Sequence, residues 1–254
     1  MAACQMSAAE APLQEAVAIA RRIYRGPNAD VAPRVHNLGG VYLALGRLDE
    51  AEPLLREAID IEHAIGRERA PGIGFSLAKL SRIQELRGDL AGARTLADAA
   101  RAQLDKVLPP THEQRLDAEL RARRLQLVAG LHRDLREDAI DLQRRADALK
   151  EPYLSATALY VRALAHARHG EDARAIAMIR QALQISARPR SFPHDLIAWY
   201  ATLAHLYERT GDPAAAARTR REGLAFADRL EVPKTHPARR ALVAPATVTM
   251  VNAP

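Results

Sequence analysis

Two histidines one helical turn apart, His166 and His169, are followed by Glu171 and Asp172, a set of side chains that could ligate a metal ion. The spacing brings both rings to the same side of a helix. However, His166 takes the place of a packing residue in the helical pattern described below. We therefore interpret the pair as structural and predict no metal site.

The sequence offers even less support for a phosphate-binding loop, a catalytic nucleophile or another catalytic motif. Gly72-x-Gly74 lacks the third glycine and the preceding strand of a phosphate-binding loop. Cys4 is the one cysteine, which excludes an internal disulfide framework and fits a reducing compartment, and no matched histidine makes it a nucleophile. Because no paired carboxylates, nucleophile elbow or kinase signature occurs either, the sequence predicts a protein that is not an enzyme and needs no cofactor.

The composition favours close-packed helices. Apolar residues make up 48% of the 254 residues and aromatic residues only 4%, and alanine and leucine supply most of the apolar count. No run approaches the roughly 18 apolar residues of a membrane span, and the N-terminus does not resemble a secretory signal. We expect a cytoplasmic protein.

The net charge is +6, and nearly all of the positive charge is arginine. Arginine forms two-bond contacts with carboxylates and phosphates, so an acidic protein or peptide ligand is a reasonable partner. Three basic clusters, at residues 121–124, 187–190 and 218–221, leave nucleic acid open as an alternative partner. Acids are interleaved with these bases and few aromatic residues are present to stack on nucleobases, which makes nucleic acid the less favoured partner.

A repeat of about 42 residues runs through the chain. Similar segments begin at Gly46 and Gly88 (88 − 46 = 42), and a second related pair begins at Gly170 and Gly211 (211 − 170 = 41). Each unit predicts a helix, a glycine turn and a second helix rich in alanine, which must stack on its neighbours to bury a core. A weaker copy lies between the two pairs. Its second helix, around Ala139, Leu142 and Ala146, lacks the glycine turn, and residues 133–135 stand in place of that turn.

These units resemble the tetratricopeptide repeat. The motif residues are Val35, Leu38-Gly39, Tyr42, Ala51, Leu55 and Ala58, with a similar set at Tyr200, Leu203-Ala204 and Tyr207. The 42-residue spacing is similar to that of the kinesin light chain type, and the resemblance covers roughly residues 9–230. It implies an all-α fold, a right-handed α-solenoid of antiparallel helix pairs whose first helices line a concave, peptide-binding groove, without catalysis.

On this resemblance we expect a disordered N-terminus at residues 1–8, one solenoid over residues 9–244 and a disordered tail at residues 245–254. Residues 9–25 look like the second helix of a repeat without its first helix. The solenoid would comprise a half repeat at 9–27, repeats at about 28–68, 69–109, 110–150, 151–190 and 191–231, and a cap helix at 235–243.

The predicted function is a scaffold that binds a peptide or a partner protein, as the C-terminal module of a bacterial signalling protein. Two alternatives stay open: the repeat region of a transcription activator that uses its basic surface, and the repeat region of a serine/threonine protein kinase. The sequence predicts neither the oligomeric state nor the identity of the partner.

Side chains next to the packing positions of the first helices should face the groove. The predicted groove residues are Asn37, Lys79, Arg82, Arg123, Arg124, Tyr160 and His205. Asn37 stands where this repeat type often places an asparagine that bonds a peptide backbone, although a capping hydrogen bond is an equal alternative. The four cationic residues would form a basic strip for an acidic peptide; otherwise they are solvated side chains.

Overall fold

The computed structural model describes residues 2–130, 134–186 and 193–243, and all regular secondary structure in these ranges is α-helical. The contacts divide the chain into two compact units, Met1–Pro110 and Thr111–Pro254, and each is described by itself. The predicted all-α, helix-pair solenoid class is confirmed, and the single array over residues 9–244 stays a prediction. The tail predicted at 245–254 lies outside the described residues.

The N-terminal unit contains five helices. They are α1 (Ala2–Ile23), α2 (Val31–Ala44), α3 (Leu48–Ala64), α4 (Pro71–Arg87) and α5 (Leu90–Asp105). Helix α1 begins at Ala2, where the sequence led us to expect an irregular segment over residues 1–8. The alanines of this segment have the highest intrinsic helix propensity, which accounts for the earlier start.

The C-terminal unit contains seven described helices. They are α6 (Glu113–Val128), α7 (Arg136–Ala148), α8 (Pro152–Arg168), α9 (Asp172–Ile185), α10 (Pro193–Arg209), α11 (Pro213–Arg229) and α12 (Pro237–Val243). Three of the first helices, α4, α8 and α10, begin with proline, whose missing N–H group has no helical partner at that position. None of the described helices has the length and apolar content needed to cross a membrane.

Glycines with positive φ terminate the first helix of every pair. The expected turns at Gly46, Gly88, Gly170 and Gly211 have φ values of 75°, 88°, 74° and 78°. Gly130 has a φ of 73°, so the prediction that the third copy lacks a glycine turn was wrong. The turns therefore recur after 42, 42, 40 and 41 residues (88 − 46, 130 − 88, 170 − 130, 211 − 170). Glycine adopts this left-handed conformation without the steric cost of a Cβ atom.

The two helices of a regular pair pack closely at the position seven residues before the turn glycine. At Gly39 an added Cβ atom would lie 3.0 Å from the Leu55 side chain and 3.3 Å from the Ala51 carbonyl oxygen of α3. The equivalent residues in α4, α8 and α10 are Ser81, Ala163 and Ala204, and each is fully buried. The Ser81 hydroxyl donates a hydrogen bond to the Ala93 carbonyl (2.7 Å), which satisfies its polar atom within the helix pair.

The third pair departs from this rule because Arg123 occupies the close-approach position. Arg123 forms an ion pair with Asp138 of α7 (3.5 Å), and one turn earlier Glu119 pairs with Arg145 of α7 (2.9 Å). Helices α6 and α7 make few contacts with each other, and α7 packs mainly on α8. A long charged side chain holds the two backbones apart, so ion pairs replace the usual apolar contact.

Arginines near the ends of first helices tie successive pairs together. Arg168 donates to the Leu127 carbonyl at the end of α6 (3.1 Å), and Arg209 donates to the Ala167 carbonyl at the end of α8 (3.2 Å). In the N-terminal unit, Arg87 pairs with Asp49 (2.6 Å) at the start of α3. The last carbonyls of a helix have no partner within it and carry the negative end of its dipole, so these contacts stabilise the stacking of pairs.

Ala51→Arg tests the packing register of the first pair. Ala51 is fully buried against α2, so the variant forces an unpaired charge between two helices, and we expect a loss of about 3 kcal/mol or more in the free energy of unfolding. Urea denaturation measures the loss. Ala64→Arg, at the exposed end of the same helix, is the control and should stay near the parent. Equal stability of Ala51→Arg and the parent would contradict the register.

Candidate functional site

The turn glycines define which residues of the first helices are equivalent. Nine residues before each glycine, on the face away from the close approach, stand Asn37, Lys79, Arg121, Val161 and Thr202. Six residues before each glycine stand Gly40, Arg82, Arg124, Leu164 and His205. Most of the predicted groove residues therefore take one of these two repeat positions.

In the N-terminal unit, the Lys79 side chain of α4 reaches α2 at Gly40, one turn from Asn37. Asn37 is exposed on α2, and Gly40 lies one turn further along the same face. The Lys79 side chain lies against Gly40. A Cβ atom built at Gly40 would lie 3.1 Å from Cε and 3.7 Å from Nζ of Lys79. The structure thus places an ammonium group beside Gly40, one turn from a side-chain amide. We name Asn37, Gly40 and Lys79 the α2–α4 site.

His36 lies beneath this site. Its Nδ1 atom and the hydroxyl of the fully buried Ser76 in α4 are hydrogen-bonded at 2.8 Å. Burial lowers the pKa of His36 to about 3, and the positive charge of Lys79 adds to the effect. His36 is therefore a neutral, fixed polar contact between the two helices that carry the site.

The four cationic residues of the predicted basic strip do not line one surface. Arg82 and Arg124 are only 5% and 7% exposed, so both lie within the helix packing rather than on a groove surface. Arg123 points at α7, as described above, since it takes the close-approach position. Of the four predicted cations, Lys79 is the one that the structure places at the surface beside another predicted site residue.

Tyr160 is a core residue, which corrects its expected place in the groove. It is 1% exposed, and its ring stacks on Trp199 with centroids 4.9 Å apart. Its hydroxyl lies 2.8 Å from Thr202 Oγ1, which itself donates to the Ala198 carbonyl at 3.1 Å. Tyr160 therefore donates to Thr202 and joins α8 to α10 rather than meeting a ligand.

His205 is also largely buried, with 8% of its surface exposed. Neither ring nitrogen makes a hydrogen bond within the described part of the chain, and Nδ1 lies 3.8 Å from Glu208 Oε2. Burial, with a smaller contribution from the neighbouring Arg209, lowers the pKa of His205. It is a neutral ring in the helix packing, so its expected groove role is not supported.

Arg121, which the sequence placed only in the basic cluster at residues 121–124, takes a repeat position that was not predicted. Arg121 shares the repeat position of Asn37 and Lys79, and it lies 4.0 Å from Asp195, which accepts a hydrogen bond from Tyr153 (2.9 Å). The signal that could have found Arg121 is Gly130, nine residues later, which sets the register of α6. The arrangement brings one residue from each of α6, α8 and α10 together.

The two histidines that could have formed a metal site are engaged with different acids. His166 Nδ1 lies 3.0 Å from Glu171, and His169 Nε2 lies 3.4 Å from Asp134. In the ranges that the structure describes, no group of three or more potential ligands could hold a metal ion.

The helix pairs, glycine turns and small close-approach residues define a helical repeat protein. The family model of the tetratricopeptide repeat matches residues 1–62 and 31–106, and helix pairs of the same design continue through the rest of the described chain. The N-terminal 106 residues therefore match the tetratricopeptide repeat family, and the rest of the described chain has a helix-pair fold of the same kind. A search of curated proteins found no match to the sequence.

Solved structures with a similar fold include three helical repeat proteins. The Rap protein complexed with competence and sporulation factor is 14% identical (TM-score 0.59), and the match covers 78% of this chain and 55% of the Rap chain. BtubC (BKLC) from P. vanneervenii is 17% identical (TM-score 0.57; 89% and 92% covered). A thermophilic repeat protein of Thermus thermophilus, TTC0263, is 22% identical (TM-score 0.53; 84% and 100% covered).

These likenesses establish the fold. The chain spans 55% of the length of the Rap chain that it matches. The tetratricopeptide repeat fold is that of a protein–protein interaction scaffold, and the family is generally non-catalytic.

His36 makes stability depend on pH. The pKa of its ring is about 3 in the folded chain against an ordinary 6.5, so the unfolded chain binds a proton that the folded chain does not between those values. Stability should therefore fall as the pH falls through this range. Between pH 7.5 and pH 4.5 we expect the parent to lose about 2 kcal/mol more than His36→Gln, measured by urea denaturation.

The exposed His63 gives a matched control, since His63→Gln should leave the extra acid sensitivity in place. If His36→Gln and the parent lose the same stability on acidification, His36 is not the buried neutral group described here.

Proposed function

We propose that this protein is a non-catalytic scaffold that binds an acidic peptide segment of a partner protein at the α2–α4 site. The observation that carries the proposal is the contact of the Lys79 side chain of α4 with Gly40 of α2, one turn from the exposed Asn37. We further propose that it acts in the cytoplasm as the C-terminal module of a bacterial signalling protein, the setting that its family resemblance suggests.

The two side chains supply complementary chemistry. The Asn37 amide can donate to a peptide carbonyl and accept from a peptide N–H group, which holds an extended backbone without reading its side chains. The Lys79 ammonium group offers a charge-assisted hydrogen bond to an Asp or Glu carboxylate. Gly40 lets the Lys79 stem lie against α2, so the ammonium group lies beside Gly40, one turn from Asn37.

The rigidity of the platform supports binding. The His36–Ser76 hydrogen bond joins α2 to α4 directly beneath the site. Second helices on the far side fix both first helices through the close approaches at Gly39 and Ser81. A preformed surface loses little conformational entropy when a ligand binds.

The charge arrangement favours a protein ligand over nucleic acid. Several arginines of the basic clusters are already compensated: Arg123 pairs with Asp138 and Arg220 with Glu208 (2.6 Å), while Arg124 is buried. The cluster at residues 187–190 lies outside the described residues. A nucleic-acid surface needs clustered cations that are available to phosphates, and these three arginines do not offer that.

Selection from a displayed library of random dodecapeptides tests the proposal. We expect the parent to select peptides enriched in Asp and Glu. Lys79→Glu should weaken binding of a selected peptide by at least about tenfold, because repulsion replaces a charge-assisted hydrogen bond, and Asn37→Ala should weaken it by about fivefold. Fluorescence anisotropy with a labelled selected peptide measures both effects.

Lys106→Glu is the matched control, since it makes the same charge change at the end of α5, away from the site. It should bind the peptide within about twofold of the parent, apart from the general effect of net charge. Selection of peptides without acidic enrichment, or equal weakening by Lys106→Glu and Lys79→Glu, would overturn the α2–α4 site.

A further inference from the structure

Helix α1 carries an apolar stripe on its exposed side. Ala16, Ile19 and Ile23 follow one another at intervals of three and four residues, and Ile19 and Ile23 are 39% and 63% exposed. Such spacing forms a continuous seam along one side of a helix. Among the large exposed hydrophobic residues of the described chain, these are the two that share a helix. We name Ala16, Ile19 and Ile23 the α1 stripe.

The equivalent residues of the next repeat show what such a stripe packs against. One period of 42 residues further on, Ala58 and Ile61 of α3 are the equivalents of Ala16 and Ile19, and they are 3% and 8% exposed. In α3 these residues belong to the buried helix packing. In α1 the contact with the core is made by a different side, through Val17 and Ala20. The α1 stripe therefore has the pattern of a surface that packs on another helix.

Two charged residues border the stripe. Glu15 and Arg22 are exposed, seven residues apart on the outer side of α1, and neither forms an ion pair with any described residue. Their neighbours do pair within the chain, since Glu10 contacts Arg47 (2.6 Å) and Arg21 contacts Glu57 (2.6 Å). This acid and base are placed symmetrically about residues 18 and 19, close to the middle of the stripe.

We propose that the α1 stripe binds the α1 stripe of a second copy of this chain, with the two helices antiparallel about a two-fold axis near Ile19. A two-fold axis makes every contact twice, so a surface must be complementary to itself. Antiparallel pairing places Glu15 next to Arg22 of the second copy and Arg22 next to Glu15 of the second copy.

This interface goes beyond the proposed function, because the α1 stripe contains no residue of the α2–α4 site. The dimer would present two such sites, so a partner with two acidic segments would gain affinity through avidity. A single pair of helices buries less than the 1,200–2,000 Å² of total surface that is roughly typical of stable interfaces. The dimer should therefore be weak and dependent on concentration.

Sedimentation velocity of the full chain tests the dimer. Between roughly 1 and 300 µM we expect the sedimentation coefficient to rise from that of a monomer to that of a dimer. Ile19→Asp and Ile23→Asp should each raise the dissociation constant by at least about tenfold, since each acts twice in the interface. Ile140→Asp, at a comparably exposed isoleucine of α7, is the control and should leave the dimer unchanged.

Charge reversal tests the antiparallel arrangement. Glu15→Arg and Arg22→Glu should each weaken the dimer by about threefold, and the double variant should restore it to within about twofold of the parent. All three variants change exposed positions, so circular dichroism should show folded chains. A chain that stays monomeric throughout, a dimer insensitive to Ile19→Asp, or a double variant weaker than both single variants would each overturn the proposal.

Discussion

Each regular helix pair has a small residue seven positions before its turn glycine, where the first helix packs closely on its partners. In the first pair, Gly39 lets α2 come so near α3 that even a methyl group would contact Leu55. Ser81, Ala163 and Ala204 take the same position seven residues before the turn glycine in three other pairs. Because this contact fixes one side of each first helix, it also decides which of its residues remain on the other side for a ligand.

The third pair shows what happens when that constraint is relaxed. At the close-approach position and one turn before it, charged Arg123 and Glu119 replace small and apolar residues. They form ion pairs with Asp138 and Arg145 of α7. Removing charges from water costs free energy, so this layer holds α6 and α7 together less tightly than the methyl contacts of the other pairs. The division of the chain into two compact units falls just before this pair, between Pro110 and Thr111.

Helix pairs and four of the glycine turns could be predicted from the sequence, because periodicity and turn residues are local signals. Gly130 was missed because α7 starts six residues after it (136 − 130), whereas α3 starts two residues after Gly46 (48 − 46). That longer separation hid the register of α6, so Arg123 was assigned to the groove and Arg121 was not. Asn37 and Lys79 were placed correctly on neighbouring first helices, since their register came from the clear pairs. The burial of Tyr160 and His205 depends on contacts between different helices, such as the stacking of Tyr160 on Trp199. Such contacts cannot be predicted from the local spacing of residues in the sequence.

Hydrogen exchange with and without a bound acidic peptide is the decisive measurement for the binding face, because it reports which helices meet the ligand. We predict that a selected peptide slows amide exchange in α2 and α4, the two helices that carry Asn37 and Lys79. Little change is expected in the second helices α3 and α5, which lie on the far side of the close contacts. Protection confined to α3 and α5, with none in α2 and α4, would contradict the assignment of the binding face.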